Sequence, residues 1–390
     1  MARRKEIKEL YYIRAIAAMG ILIIHATGGF AVSSEFGSKA MYLGIFLNQF
    51  FRFGSPIFMM VSGLVLFYNY RSLDEFDISR FYKKKVKFIL IPYTLWSIIY
   101  FLYDSYVYSL PIDKQSLLTL GRDILLGESF AHLYFIFLIF QFYIVLPLLI
   151  RYLTKPMEEK PFRVFAFFFV FQGIILLYGH YFKNPNATGI MKTFNQYYWK
   201  TLFSWSFYFM TGGLMGMHYG RLVNFVERNI KKIFLVYAAI TVFYIGQVYY
   251  NIWIHSGRDY YGKFGSIRPQ TMIYALVTMP ILIWLTRRMV GKYNNLKNFG
   301  TYSFGVYFSH PLILEEIKRH LIGNFPSHIG YSRLSSLILI CGMGLVITFI
   351  FVLLVGTLES RWIFIGKVPK YTLNARPIHA EKKHNETKVL

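Results

Sequence analysis

Residues 10–32 read Leu10-Tyr11-Tyr12-Ile13-Arg14-Ala15-Ile16-Ala17-Ala18-Met19-Gly20-Ile21-Leu22-Ile23-Ile24-His25-Ala26-Thr27-Gly28-Gly29-Phe30-Ala31-Val32. A helical span of a bilayer needs about 20 mostly apolar residues, and this stretch has that length with two ionisable exceptions, Arg14 and His25. Each such group costs at least ~2.5 kcal/mol inside the membrane, so intramembrane charges mark functional pathways by default. The two are eleven residues apart. At roughly 100° per residue they project from one helix face and lie ~16 Å apart along its axis.

The remainder of the 390 residues has the same character. The chain is 55% hydrophobic and 20% aromatic with only 16% charged residues, unlike a soluble domain of average usage. It reads as an all-α, polytopic transmembrane helix bundle. About ten windows have spanning length, near 10–32, 44–69, 86–108, 131–150, 162–182, 201–219, 230–254, 270–286, 300–317 and 334–358.

The net charge of +24 raises the question of a nucleic-acid partner, and the distribution of the charge answers it. About two thirds of the 43 lysines and arginines fall in the N-terminal segment and in alternate connections, near 70–87, 151–163, 220–232, 287–299 and 359–390. That asymmetry is the positive-inside rule. It predicts an even number of spans with both termini cytoplasmic, and it leaves the excess charge as a topology signal and an attraction to anionic headgroups, with no nucleic-acid domain.

A cleaved signal peptide competes for the first segment, since residues 1–8 are basic and Ala31-Val32-Ser33 is a small-x-small triplet. Cleavage would spoil the parity of the charge pattern, so the first span is expected to be retained. The single cysteine, Cys341, lies in the last apolar run, which excludes a disulfide framework and a multi-cysteine metal site. No repeat or long linker divides the chain. Residues 1–358 are expected to form one integral membrane domain, followed by a basic cytoplasmic tail, 359–390.

Several polar residues interrupt the other spans. Arg52 lies ~12 Å below the outer surface, close to the depth of His25. It is followed by Gly54-Ser55-Pro56 and, farther on, Ser62-Gly63, small residues that permit close helix approach and a local break and suit a helix lining a narrow tunnel. The segment Arg80-Phe81-Tyr82-Lys83-Lys84-Lys85-Val86-Lys87 puts Lys84 and Lys87 on one face, where they could clamp phosphates arriving from the cytoplasm. His132 opens the fourth span, and His310 sits in the middle of the ninth, seven residues after Ser303 on the same face. No HxxxH or HExxH spacing supports a metal site.

Five segments taken in order resemble the acyltransferase-3 family of integral membrane acyltransferases. They are Tyr12-Ile13-Arg14-Ala15-Ile16-Ala17 with His25, Phe50 to Leu66 with Ser62-Gly63, the basic run ending in Ile91-Pro92-Tyr93, His132-Leu133-Tyr134-Phe135, and Tyr302-Ser303 through His310-Pro311. The segments around Lys8-Glu9-Leu10-Tyr11-Tyr12 and Lys87-Phe88-Ile89-Leu90-Ile91-Pro92-Tyr93 resemble the intercellular-adhesion C branch, which modifies or exports poly-N-acetylglucosamine. The resemblance implies a multi-pass protein of a bacterial plasma membrane. Its activity would be transfer of an acyl group, by expectation acetyl, from cytoplasmic acyl-CoA to a hydroxyl of a cell-surface glycan, with no permanently bound cofactor. His25 would be the general base, Arg14 would hold the donor, and Arg52 would stabilise the oxyanion. Ser62, His132, Ser303 and His310 would contact substrate. The family's arginine-x-x-arginine pair appears here as Lys84 and Lys87, point charges without the bidentate fork.

A polysaccharide exporter of the cell envelope is the competing reading, with Arg14 and His25 lining the path. The embedded set is cationic and rich in histidine, whereas pumps and transporters commonly use buried carboxylates. Asp104, Glu315 and Glu316 fall near the outer ends of their spans. The enzyme reading is therefore preferred.

Overall fold

The computed structural model describes residues 4–255, 265–322 and 334–371. Among them every regular element is a helix. The distal part of the predicted tail, 372–390, lies outside the described residues.

The opening stretch forms one unbroken helix, α1 (Glu9–Ser33), because its apolar residues contain no proline and two of its three glycines, Gly28 and Gly29, fall near its end. The next span is broken in two: α2 (Lys39–Phe50) and α3 (Gly54–Asn69) flank a non-helical turn at residues 51–53. The break falls just before Gly54-Ser55-Pro56, and Pro56 sits in the first turn of α3, where its missing N–H costs least. Then α4 (Ile78–Lys85) runs through a π-helical turn (Val86–Leu90) into α5 (Ile91–Val107).

Helix α6 (Lys114–Leu126) is too polar to span. Asp113 caps it, accepting from the Ser116 N–H at 2.8 Å, and Gly127 ends it in the left-handed region. The long apolar helices α7 (Tyr134–Glu159) and α8 (Pro161–Leu177) follow, then the short α9 (Gly189–Tyr197) and α10 (Ser206–Met217). The 36-residue α11 (Tyr219–Ile254) is ~54 Å long at 1.5 Å per residue, more than a bilayer core. Its first turns, with Arg221, Arg228, Lys231 and Lys232, accordingly extend past the apolar layer. The chain closes with α12 (Pro269–Met289), α13 (Asn294–Thr301), α14 (Ser303–Ile317), α15 (Leu334–Thr357) and α16 (Arg361–Ile365).

Among the described residues, eight helical segments are long and apolar enough to cross a membrane. The two other expected spans, 201–219 and 300–317, form shorter helices. In the first, Lys200 is buried and pairs with Glu128 at 2.6 Å, and two 3-10 turns (Tyr198–Lys200 and Leu202–Trp205) occupy the stretch before α10. The second is divided at Tyr302 into α13 and α14 and extended by a π-helical turn at Lys318–Ile322.

Burial separates interior helices from boundary helices. Helix α1 touches α2, α3, α12, α13, α14 and α15. It is the axis of the bundle. By contrast α8 and α11 present Phe167, Ile174, Leu235, Val242 and Phe243 outward, as a lipid boundary requires. Beside the axis, α3 and α10 pack backbone to backbone, because a Cβ on Gly63 would overlap the Phe209 carbonyl and one on Gly212 the Met60 carbonyl. For Gly63 the close-packing role is thus plain. Cys341 is a free thiol packed against the small apolar cluster around Leu22, Phe30 and Leu314.

Candidate active site

Helices α1 and α14 run in the same direction. Gly300, at the end of α13, abuts the Tyr11 carbonyl, and higher up His310 meets His25 with ring centroids 5.1 Å apart. His132, from the turn before α7, lies 5.4 Å from His310. Three imidazoles distant in sequence therefore share one depth in the bundle. Tyr307 O–H donates to the His132 carbonyl, and Tyr100 O–H donates to the Phe308 carbonyl at 2.7 Å. These bonds fix α14 and the His132 turn against α5.

The hydrogen bond of His310 decides its tautomer. Its Nδ1 lies 2.9 Å from the Val306 carbonyl, which can only accept, so Nδ1 holds the proton and the lone pair of the neutral ring is on Nε2. That Nε2 has no hydrogen-bond partner among the described residues, and neither ring nitrogen of His132 has one. Both residues are buried, and unsatisfied buried groups are rare enough to require an explanation. His25, by contrast, is only half-buried. Of the three, it is the most exposed imidazole. Among the described residues no group of His, Cys, Asp and Glu side chains has a metal-holding arrangement.

Arg52 stands in the break between α2 and α3, where the open turn lets a guanidinium point inward. Its Nη2 donates to Asn48 Oδ1. Asn48 Nδ2 donates in turn to the Ile24 carbonyl at 2.9 Å and to Thr27 Oγ1 at 3.1 Å. Gln49 Nε2 donates to Asn48 Oδ1 at 3.2 Å, and Tyr244 O–H donates to Gln49 Oε1 at 2.9 Å. This buried amide network holds Arg52 within electrostatic reach of His25, Tyr134 and Tyr244. Sequence reading singled out Arg52 but missed Asn48, Gln49 and Tyr244. The signal for the first two was two adjacent amides one helical turn before the arginine.

Arg14 lies at the other end of α1. Its side chain is half-buried and makes no hydrogen bond or ion pair with any described residue, and it lines an open cavity of about 510 Å³ with Arg4, Lys5, Leu10, Tyr11 and Tyr68. From there upward the half-buried residues of α3 recur as Val65, Ser62, Phe58 and Ser55, a single stripe at helical spacing that ends at Arg52. Ser62 belongs to this stripe, although its Oγ donates to the Phe58 carbonyl at 2.9 Å. Ser303 opens α14 beside the Tyr302 turn and so stays near the level of Arg14, two turns below His310.

The structure brings Lys84 and Lys87 together, exposed, on a hollow of about 460 Å³ shared with Arg80 and Lys83. Lys87 also lies over the Trp362 ring, 4.8 Å from its centroid. The lysine that turns inward is Lys85, half-buried with its Nζ 4.0 Å from the Tyr143 ring centroid. Tyr143 is also within electrostatic reach of Arg14. Lys85 had no distinguishing mark in a run of three lysines.

These features accompany a sequence match across the bundle. The family model described as an acyltransferase domain, acyltransferase-3, matches residues 7–355, and the chain belongs to that family. It is an acyltransferase and a multi-pass bacterial membrane protein. The chain is 27% identical over 315 residues to the probable poly-beta-1,6-N-acetyl-D-glucosamine export protein of Staphylococcus aureus (strain MSSA476), covering 79% of this chain and 83% of that protein. It is 24% identical over 321 residues to the protein of the same description from Staphylococcus epidermidis, covering 80% and 83%. No solved structure matches.

Proposed function

We propose that the protein transfers an acetyl group from cytoplasmic acetyl-CoA to a hydroxyl of a cell-surface glycan. One observation carries this reading: α1 holds Arg14, without a counter-ion among the described residues, in a cavity at one end and His25, paired with His310, toward the other. An arginine half-buried in an apolar helix calls for an anionic or strongly polar ligand. A phosphorylated thioester donor supplies it, with its long pantetheine arm laid along the half-buried stripe of α3 toward His25.

His25 takes the proton of the acceptor hydroxyl as its oxygen attacks the thioester carbonyl carbon. A C–O bond forms, and the developing oxyanion faces Arg52 in a low-dielectric site where a fixed charge is worth most. The C–S bond then breaks, the proton returns to the sulfur, and free CoA leaves. His310 keeps its lone pair toward the cluster and orients His25 without touching the substrate. Lys84 and Lys87 lie at the cytoplasmic face, where an approaching nucleotide meets their positive field.

The printed description of the staphylococcal relatives favours a second reading, movement of poly-N-acetylglucosamine across the membrane. Reconstituted protein decides between them. With acetyl-CoA and poly-N-acetylglucosamine the enzyme reading requires CoA release coupled to ester formation. Glycan crossing into vesicles with no CoA release at all would instead support export.

A further inference from the structure

Residues 4–8 do not extend away from the bundle. Arg4 donates to the Tyr68 carbonyl and pairs with Glu75 at 3.5 Å, Tyr68 O–H donates to the Lys5 carbonyl at 2.9 Å, and Ile7 is buried in the main apolar core. Glu9, also buried, accepts from Tyr219 O–H at 2.6 Å and pairs with Arg287 at 3.3 Å. The strap is thus pinned at both ends beside the Arg14 cavity, which Arg4 and Lys5 line together with Arg14.

The charges lining that cavity are unbalanced. Among the described residues Glu6 is the only carboxylate lining the cavity, and it accepts from Tyr11 O–H at 2.5 Å, while the Lys5 ammonium is exposed and without an ion pair. Arg4 is partly neutralised by Glu75, whereas Lys5 and Arg14 have no ion pair among the described residues, and a cavity lined by these cations attracts an anionic ligand.

We infer that Arg4 and Lys5 form a phosphate-binding subsite in the donor cavity and hold the phosphate groups of acyl-CoA while its thioester reaches inward past Arg14. This rests on the proposed acetyl-CoA donor and adds to it the residues that read the donor's phosphates. The segment preceding the first span is then part of the active-site wall. The side chains of Arg4, Ile7 and Glu9 and the Lys5 carbonyl hold the strap in place, and the Lys5 ammonium with the remaining Arg4 donors selects a phosphorylated donor over an uncharged thioester.

The test is the KM of the purified, reconstituted full chain for acetyl-CoA and for acetyl-pantetheine, which has the same thioester and no phosphate. Lys5→Ala keeps the backbone carbonyl that Tyr68 uses, so the strap stays pinned, and Arg4→Lys retains charge at the other position. Lys5→Ala should raise KM for acetyl-CoA roughly tenfold, leave kcat within about twofold, and leave KM for acetyl-pantetheine unchanged, with Arg4→Lys milder than Arg4→Ala. Equal changes in KM for both donors, or no change for either, would overturn the inference. Wild-type protein that releases neither CoA from acetyl-CoA nor pantetheine from acetyl-pantetheine refutes the parent reading, a result distinct from both.

Discussion

Replacing His310 with asparagine separates the proton machinery from donor binding. The asparagine amide can still donate toward the Val306 carbonyl as Nδ1 does now, but nothing replaces the Nε2 lone pair 5.1 Å, ring to ring, from His25. General-base assistance contributes typically 10²- to 10⁴-fold, and a residue acting only through the base should forfeit the lower part of that range. About a 10²-fold fall in kcat corresponds to ~2.7 kcal/mol of barrier. Donor binding at Arg14, ~16 Å away along α1, should hold KM for acetyl-CoA within about twofold. Because His310 is only 1% exposed, the substitution also costs stability, on the order of 1–3 kcal/mol, so a thermal melt in detergent must accompany the kinetics. A folded His310→Asn protein with kcat within about threefold of wild type, or one whose loss is all in KM, refutes the assigned role.

Other perturbations test separate parts of the account. Arg14→Ala should raise KM for acetyl-CoA about tenfold or more, with Arg14→Lys intermediate because it keeps the charge and loses the planar fork; isothermal titration with CoA reads the same order. Lys85→Ala should impair acetyl-CoA use more than Lys84→Ala, since Lys85 is the half-buried lysine over Tyr143, and equal effects in steady-state kinetics would count against an inward role. Gly212→Ala forces a methyl into the Met60 carbonyl and should cost at least about 1–3 kcal/mol, seen as a lowered midpoint of thermal unfolding in detergent.

How much of this was legible in the chain differs by element. The Arg14 and His25 spacing survives intact because α1 is a single helix and helical geometry converts eleven residues directly into a depth difference. Local pattern also anticipated the break near Gly54-Ser55-Pro56 and the pairing of Lys84 with Lys87 on one face. Tertiary placement was beyond it. His132 and His310 are 178 positions apart in the sequence, and only the parallel packing of α1 and α14, with Tyr307 tied to the His132 turn, sets them beside His25. The inward placement of Lys85 is seen in its contact with the Tyr143 ring of α7, a tertiary contact that no apolar period encodes. The 201–219 window forms a shorter helix than expected, with 3-10 turns before α10 and the buried Lys200 paired with Glu128 at its start.

The central claim is that His25 is the base of an acetyl transfer, and the most direct measurement is transfer of labelled acetyl from acetyl-CoA to the glycan by reconstituted wild-type and His25→Ala proteins. The account predicts at least about a 10²-fold loss of labelled product in His25→Ala, with CoA binding and the thermal midpoint nearly unchanged. Labelled product formed at the wild-type rate by His25→Ala contradicts it.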